Sequence, residues 1–232
     1  MLQASEQVGS DIEQLDALLA RRHSCRAFRP DPVPREVIER LLATAGRTAS
    51  WCNFQPWQIH VVSGEPLERL RADLVARASS GAQPAPELDW PKDYGGVYVE
   101  RRRATGWSLY QAVGIGKGDR EASAKQALEN FRMFGAPHLV VLTSPQTHGT
   151  HGVMDCGAWV ATFLLAIEAL GLGAIAQAAL ASWPDILRAH VEIPEGRRIV
   201  CGISFGYEDA SHIANSYRLG RASLDELVTW VG

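Results

Sequence analysis

The 232-residue chain has an ordinary globular composition, with 46% hydrophobic and 21% charged residues. Its formal net charge of -3 gives no electrostatic reason to expect nucleic acid or an anionic membrane as a partner. We find no secretion signal and no apolar run long enough to span a membrane, so we expect a cytoplasmic protein. The four scattered cysteines form no Cys-x-x-Cys pair, which favours free thiols over disulfides or a zinc site.

The N-terminal region predicts an amphipathic helix that ends in a basic turn. Ser10 and Glu13 have the spacing of a capping box, and the apolar residues after them recur at helical intervals. Arg22, Ser24 and Arg26 follow the last of these apolar positions. Two interpretations compete, because arginines at a helix end offset the helix dipole, whereas clustered arginines with a hydroxyl can also bind a phosphate.

The segment 50–57 predicts a rigid loop that leads into a strand at 58–62. Pro56 disfavours a helical conformation of the residue before it, and β-branched residues alternate after it. Asn53 offers an amide that can bind the edge of a planar heterocycle, while Trp51 and Trp57 offer flat apolar walls. The loop is therefore either part of a small-molecule site or a buried turn with a core tryptophan.

Hydrophobic periodicity and Pro/Gly punctuation predict the remaining elements. Helices are expected at 34–46, 65–78, 97–113, 119–134, 153–170, 182–190 and 223–230, and further strands at 138–143 and 198–205. Ser182 and Asp185 have capping-box spacing at the start of one of these helices, and the last helix is expected to be capped at Ser223. The helix at 153–170 is apolar almost all round, which indicates a buried central helix.

Two further features concern possible sites. His148 and His151 lie three residues apart, but no third ligand is placed in sequence to complete a metal site, so none is expected. The segment 174–180 is extended and rich in small residues, including Ala178 and Ala179, which leaves its backbone accessible.

Several of these motifs together resemble the FMN-dependent nitroreductase family. They are the basic turn 22–26, the Asn-x-Gln-Pro-Trp element at 53–57, the helix 155–173 with its Gly-Leu-Gly end, and the late arginines Arg218 and Arg221. The segment from Arg101-Arg102-Arg103 to Ala136-Pro137 is similar to the branch that reduces nitrobenzoates and related nitroaromatics. The order and separations match over nearly the whole chain.

The resemblance implies an α+β fold around a mostly antiparallel sheet flanked by helices. It implies one nitroreductase-like domain over 1–232, with a helical excursion at about 80–136. It also implies a homodimer with an exchanged C-terminal tail, FMN as the cofactor, and NADH or NADPH as the electron donor.

The resemblance also assigns site residues. The FMN phosphate would be held by Arg22, Ser24 and Arg26, with His23 in the same turn, and closed over by Arg218 and Arg221. Asn53 would address the isoalloxazine edge, and backbone groups near Ala178 and Ala179 of the other subunit would face flavin N5. Trp51 and Cys52 stand where small residues are usual in the family, which points to a substrate-shaping role. No catalytic side chain is required, because the flavin carries the redox chemistry.

The leading functional hypothesis is an NAD(P)H-dependent reductase of aromatic nitro compounds that works by ping-pong hydride transfer. One alternative is another flavin oxidoreductase on the same scaffold, acting on a quinone, enoate or azoline or fragmenting the flavin, because a fold does not fix a reaction. The other alternative is a non-catalytic FMN-binding module.

Overall fold

A four-stranded antiparallel sheet lies at the centre of the computed structural model, which describes residues 2–232 and the side chains from Ser10 onward. The strands are β1 (Gln58–Ser63), β2 (His138–Pro145), β3 (Gly173–Gln177) and β4 (Arg197–Gly206), in the order β1-β2-β4-β3. This arrangement confirms the expected α+β class and the expected strands.

Helices cover the sheet and form the connections between the strands. They are α1 (Leu2–Arg21), α2 (Arg35–Ala45), α3 (Gly64–Ser79), α4 (Val97–Ala112), α5 (Arg120–Leu128), α6 (Gly149–Ala169), α7 (Pro184–His190) and α8 (Leu224–Leu227). The stretch between α3 and α4 contains no regular element in the described structure, as its prolines and glycines predict.

Side chains of β2 alternate between two hydrophobic clusters, one on each face of the sheet. Val140 and Leu142 belong to the cluster formed with α2 and α6, whereas Leu139 and Val141 belong to the cluster formed with α3 and α7. Successive side chains of a strand point to opposite faces, so a strand that is buried on both faces is apolar throughout. The Leu- and Val-rich sequence of β2 follows from this position.

The irregular stretch after α3 is hydrogen-bonded to β4, to α7 and to the segment after β3. The Glu87 carboxylate accepts hydrogen bonds from the Ile199 amide at 2.5 Å and from the Arg188 guanidinium at 2.7 Å. The Ala85 amide donates to the Ser182 carbonyl at 2.8 Å. These contacts bring the stretch against β4 and against the segment that follows β3.

Helix α1 begins at Leu2, so the prediction that Ser10 caps its start is wrong. Ser10 lies inside the helix, where its hydroxyl accepts a hydrogen bond from the Gln14 side chain at 3.2 Å. No proline precedes Ser10, and most residues there are good helix formers, so the helix extends to them. The apolar stripe of α1 is exposed within the single chain, at Ile12, Leu15 and Leu19.

Helix α5 ends at Leu128, not at Phe134 as its apolar spacing predicts. Met133 and Phe134 instead take left-handed backbone conformations, with φ of 56° and 52°, and both side chains are buried. Tertiary packing therefore overrides the local helical preference in this segment.

The predicted caps of the last two helices have different outcomes. Ser182 does not cap α7, because its hydroxyl donates to the Ala179 carbonyl at 2.5 Å and Trp183 occupies the cap position. Ser223 and Glu226 do form the capping box of α8. That helix ends at Leu227, however, three residues before the predicted end.

Helix α6 is only partly buried. Cys156, Trp159 and Phe163 lie in the core, whereas Met154 on another face is exposed. By length and composition alone the stretch Gln146–Ala169 could cross a membrane, contrary to the expectation that no run is long enough. The core helix of a soluble protein has the same character, and α6 packs directly against the sheet.

A buried histidine ties β2 to the segment before α2. The Val33 amide donates to His138 Nε2 at 2.8 Å, so the neutral ring carries its proton on Nδ1 and donates to the Ser63 hydroxyl at 2.5 Å. Burial lowers the pKa of His138 from its usual value. Burial and the nearby Arg197 also lower the pKa of His60.

We expect the free energy of unfolding to decrease as the pH falls below about 6.5, the ordinary pKa of an exposed histidine. In that range the unfolded chain takes up protons that folded His138 and His60 resist, so acid favours unfolding. Urea denaturation between pH 8 and 5 measures the slope. The variant His138→Gln should flatten it. An equal slope in wild type and His138→Gln would contradict this assignment.

Candidate functional site

A cavity of about 570 Å³ lies between the end of α1 and the C-terminal tail. We call it the arginine cavity. Its lining includes the five residues predicted to hold a phosphate, together with six neighbours: Arg22, Ser24, Arg26, Arg218 and Arg221, with Leu19, Ala20, His23, Thr105, Tyr217 and Leu219. The structure thus brings together basic residues that are almost 200 positions apart in the sequence.

Asn215 joins the basic turn to the tail. Its side-chain oxygen accepts from the Arg26 amide at 2.7 Å, and its side-chain nitrogen donates to the carbonyls of Ala27 and Asp209 at 3.0 and 2.9 Å. On the other side of the turn, the Cys25 amide donates to the Ala174 carbonyl at the start of β3, at 3.0 Å. The turn is therefore fixed to both the tail and the sheet.

Three guanidinium groups in the arginine cavity donate hydrogen bonds to backbone carbonyls. Arg218 donates to the carbonyls of Asn215 and Tyr217, Arg221 to those of Leu219 and Gly220, and Arg26 to that of Ser24. Among the described residues no carboxylate lies within ion-pair distance of Arg22, Arg26, Arg218 or Arg221. By contrast, Arg21 just outside the cavity pairs with Glu168 at 3.0 Å.

Burial lowers the pKa of Arg22, and repulsion from Arg221 lowers it further, while Glu168 acts in the opposite direction. Each of these positive charges would be stabilised by an anion in the cavity. The donor set and its charge are those of an anion site.

His23 lies in the cavity wall with its ring held by protein groups. Nδ1 is 3.2 Å from the Arg21 carbonyl, and Nε2 is 3.0 Å from the Glu208 carboxylate. The ring thereby links the basic turn to the segment after β4.

The loop 50–57 has a strained backbone that the protein holds in place. Cys52, Asn53 and Gln55 have φ of 46°, 58° and 47°, although none is a glycine. The Trp51 amide donates to both carboxylate oxygens of Asp155 on α6, at 3.2 Å each. Such strain persists only where surrounding contacts enforce it, and it is concentrated at functional sites.

The two tryptophans of the loop have different environments. Trp57 packs against the core cluster. Trp51 is 53% exposed and lies against His151, with ring centroids 4.5 Å apart. Phe54 packs in the same way on His148, at 5.0 Å. The two histidines thus form aromatic contacts with the loop.

Arg197 at the start of β4 fixes the end of the loop, and sequence reasoning missed it. Its guanidinium donates to the carbonyls of Pro56 and Thr143, at 2.6 and 2.8 Å, and to the Thr143 hydroxyl at 2.8 Å. One half-buried side chain therefore connects the loop to two neighbouring strands.

Ala178 and Ala179 follow β3 in a 3-10 turn, Ala178–Ser182. Both are at least partly exposed, whereas Leu180 is fully buried against Gly202 of β4. A Cβ atom at Gly202 would lie 2.6 Å from Leu180 Cδ1, so glycine is required there for the turn to pack on the sheet. The turn presents the backbone of the two alanines at the surface.

The sequence-predicted site residues form two groups. The arginine cavity gathers the predicted phosphate ligands, but its lining within the described chain includes none of Trp51, Cys52, Asn53, Ala178 and Ala179. These lie on the α6 side of the loop and after β3. The arginine cavity of the described chain therefore includes only part of the predicted site.

A model of the nitroreductase family matches residues 19–207 of the chain. The chain belongs to the nitroreductase family. Nitroreductase NfnB of Mycolicibacterium smegmatis is 36% identical over 214 residues, which cover 91% of this chain and 90% of that protein. A 4-nitrobenzoate reductase of Pseudomonas putida is 31% identical over 221 residues, which cover 95% of this chain and 96% of that protein.

Solved structures give the same result. The crystal structure of the FMN-dependent nitroreductase NfnB from Mycobacterium smegmatis in complex with NADPH aligns with a TM-score of 0.90 at 33% identity, covering 95% of this chain and 99% of that chain. The family resemblance inferred from the motifs is confirmed over nearly the full length.

In this member of the nitroreductase family we expect Arg197→Ala to destabilise the loop. The substitution leaves the Pro56 and Thr143 carbonyls without a charged donor, which should cost about 1–3 kcal/mol of unfolding free energy. Amide exchange should rise across 50–57, and urea denaturation reports the stability. Arg198→Ala, a neighbour without these contacts, is the matched control. Equal exchange in the two variants would exclude a loop-holding role for Arg197.

Proposed function

We propose that the chain is an NAD(P)H-dependent flavoprotein that holds FMN and reduces aromatic nitro compounds by a ping-pong mechanism. The observation that carries this proposal is the convergence of Arg22, Ser24, Arg26, Arg218 and Arg221 on one cavity. Family membership and relatives named as nitroreductases, among them 4-nitrobenzoate reductases, support the reaction.

The residues present fit the phosphate end of FMN. A phosphate monoester is close to a dianion at neutral pH, and charge-assisted hydrogen bonds from arginine are strong and geometrically specific. The arginine cavity offers four guanidinium groups without carboxylate partners among the described residues, and the Ser24 hydroxyl. A bound phosphate would take the place of the backbone carbonyls that Arg26, Arg218 and Arg221 now contact.

When bound, FMN would supply the hydride chemistry for both half-reactions. The protein's own residues would orient and enclose it. The Asn53 amide would bind the edge of the ring, and the backbone of Ala178 and Ala179 of the second subunit would lie beside N5. Trp51 and Cys52 would border the open face and shape the substrate space, and no side chain would act as nucleophile.

We further propose a homodimer, because the family resemblance implies FMN sites at a subunit interface and the single chain exposes apolar side chains that would suit one. Exposed apolar side chains are available for such an interface on three elements: Leu15 and Leu19 of α1, Met154 of α6, and Leu224, Leu227 and Trp230 of the tail. Exchange of the tail between subunits would bury this last group. The whole chain would then act as one domain in the cytoplasm, with its helical excursion beside the site.

Steady-state oxidation of NADH and NADPH, with and without a nitroarene, tests the function. An acceptor-dependent rate on purified yellow protein supports it. A nitroarene-independent reaction with a quinone or enoate would favour another oxidoreductase on this scaffold, and flavin binding without turnover would indicate a binding module. Sedimentation of the same preparation tests the dimer, since a monomer that retains stoichiometric FMN would contradict it.

We expect Arg22→Ala to raise the dissociation constant of FMN roughly tenfold or more, because a charged hydrogen bond to phosphate is worth about 1.5–3 kcal/mol. Fluorescence titration of the FMN-free protein measures the constant. Arg21→Ala is the matched control, because Arg21 neighbours Arg22 but pairs with Glu168 outside the cavity. Equal FMN affinity in Arg22→Ala and wild type would show that the arginines of the basic turn offset the helix dipole and do not bind the phosphate.

We expect Trp51→Ser to raise the Michaelis constant for flat nitroarenes several-fold. An aromatic pair contributes about 0.5–1.5 kcal/mol beyond its area burial, so a lost indole face weakens acceptor binding by this order. FMN affinity and the NADPH half-reaction should stay nearly unchanged. Stopped-flow reduction and acceptor kinetics measure these quantities.

Thermal melting of Trp51→Ser separates this role from a packing role. The indole is half exposed, so its removal should cost far less than the roughly 3–5 kcal/mol typical of a buried aromatic residue. A large loss of melting temperature with unaltered acceptor selectivity would show that Trp51 serves packing instead.

A further inference from the structure

Strained backbone in the described chain is confined to two segments. Five non-glycine residues have φ in the left-handed region: Cys52, Asn53, Gln55, Met133 and Phe134. The first three belong to the loop already assigned to the flavin site. The other two lie after α5, in a segment with no role so far. Because such strain is concentrated at functional sites, the second segment requires an explanation.

A buried hydrogen-bond network connects this second segment to β3. Gln177, the last residue of β3, is 4% exposed. Its side-chain nitrogen donates to the Asn130 carbonyl at 2.9 Å, and its side-chain oxygen accepts from the fully buried Ser204 hydroxyl at 2.6 Å. The Asn130 carbonyl also accepts from the Met133 amide, at 3.1 Å. One amide side chain thus links β4, β3 and the start of the strained segment.

Gln177 lies directly beside the two alanines that are proposed to face the flavin. Gln177 immediately precedes Ala178 and Ala179 and is the residue from which their 3-10 turn starts. Leu180 anchors the far side of the turn against Gly202. The backbone of the two alanines is therefore fixed on one side by the hydrogen-bonded Gln177 and on the other by the buried Leu180.

We propose that Gln177 is a positioning residue for the redox site, which sets the backbone of Ala178 and Ala179 through its hydrogen bonds to Asn130 and Ser204. This inference rests on the proposed function, since it assumes that this backbone faces the flavin. It adds that the segment after α5, the last part of the helical excursion, is coupled to the flavin environment through one side chain.

An amide at this buried position is not needed for packing alone. Methionine has a similar length and fills the same space without desolvating polar atoms. The hydrogen bonds of Gln177 instead fix the orientation of its side chain, because the oxygen and the nitrogen must each meet a particular partner. A packing role and a positioning role therefore make different predictions for variants that keep the volume and lose the bonds.

The test compares Gln177→Met, Ser204→Ala and the double variant Gln177→Met/Ser204→Ala in the full-length protein. In Gln177→Met we expect amide exchange to rise about tenfold at both 178–182 and 130–134, as expected when one or two neutral hydrogen bonds are lost. The midpoint potential of bound FMN should shift by about 30 mV, which is a tenfold change in relative affinity for its two redox forms.

The double variant separates positioning from stability. Removing both bonded partners leaves no orphaned hydroxyl, so its melting temperature should recover towards that of the wild type. Its exchange and midpoint potential should stay shifted. If they return to wild-type values together with stability, the role of Gln177 is structural only and the proposal is overturned. Should Gln177→Met fail to fold, the double variant and Ser204→Ala still decide the question.

Leu41→Val is the matched control, because it weakens the buried core on α2 and lies in the hydrophobic cluster on the opposite face of the sheet, outside the network. It should lower the melting temperature without raising exchange at 130–134 or moving the potential. A wild-type protein that binds no FMN or does not oxidise NAD(P)H would refute the proposed function. An active wild type whose potential and exchange are unchanged in Gln177→Met would refute this inference alone.

Discussion

The site depends on the hydrogen bonds with which Asn215 holds the basic turn against the C-terminal tail. One fully occupied amide bridges Arg26, Ala27 and Asp209, and it brings arginines from the two ends of the chain to one cavity. Each buried donor or acceptor left without a partner costs about 1–3 kcal/mol, so this satisfied amide is a strong geometric constraint. The sheet supplies the second fixed point, through the bond from Cys25 to the start of β3.

Gathering four arginines in one cavity opposes folding unless an anion joins them. The backbone carbonyl partners of Arg26, Arg218 and Arg221 satisfy hydrogen bonds without neutralising charge. Burial, and then repulsion from Arg221, lower the pKa of Arg22. A ligand that binds only the folded state stabilises it by about 4 kcal/mol at a thousand times its dissociation constant. Binding of an anionic cofactor in this cavity would therefore be thermodynamically linked to folding, because it would offset the repulsion between the arginines.

Sequence reasoning predicted the sheet better than the contacts that complete the site. Strands β1, β2 and β4 carry their own signal in β-branched and apolar runs, and the Ser223 cap is equally local. The ends of α1 and α5 and the role of Ser182 were predicted wrongly, because their local patterns compete with neighbouring helix formers or with buried tertiary contacts. The close approach of Leu180 to Gly202 likewise became visible only in the structure, because the two residues lie on different elements.

The site residues also divide into those with a local sequence signal and those without one. Arg22, Ser24 and Arg26 could be proposed from the sequence because they are close together in it, and the structure places them in one cavity. Asn53 could be proposed because it belongs to an unusual motif. Arg197 and Gln177 were missed, because their partners lie on other elements and a single arginine or glutamine at a strand end has no distinctive pattern. Residues that touch a ligand form motifs, whereas residues that hold those residues in place are recognisable only from contacts.

The exposed apolar side chains of α1, α6 and the tail bear on how the separate parts of the site would meet. Fully burying one leucine is worth about 1.5–3 kcal/mol, whereas association costs an estimated 4–15 kcal/mol in lost freedom. A few such side chains on a single element would barely offset that cost. Exposed residues on three elements of each subunit, such as Leu19, Met154 and Trp230, can exceed it. Assembly of the site would then be driven mainly by apolar surfaces outside the loop 50–57, which leaves Trp51 and its neighbours free to vary with the substrate.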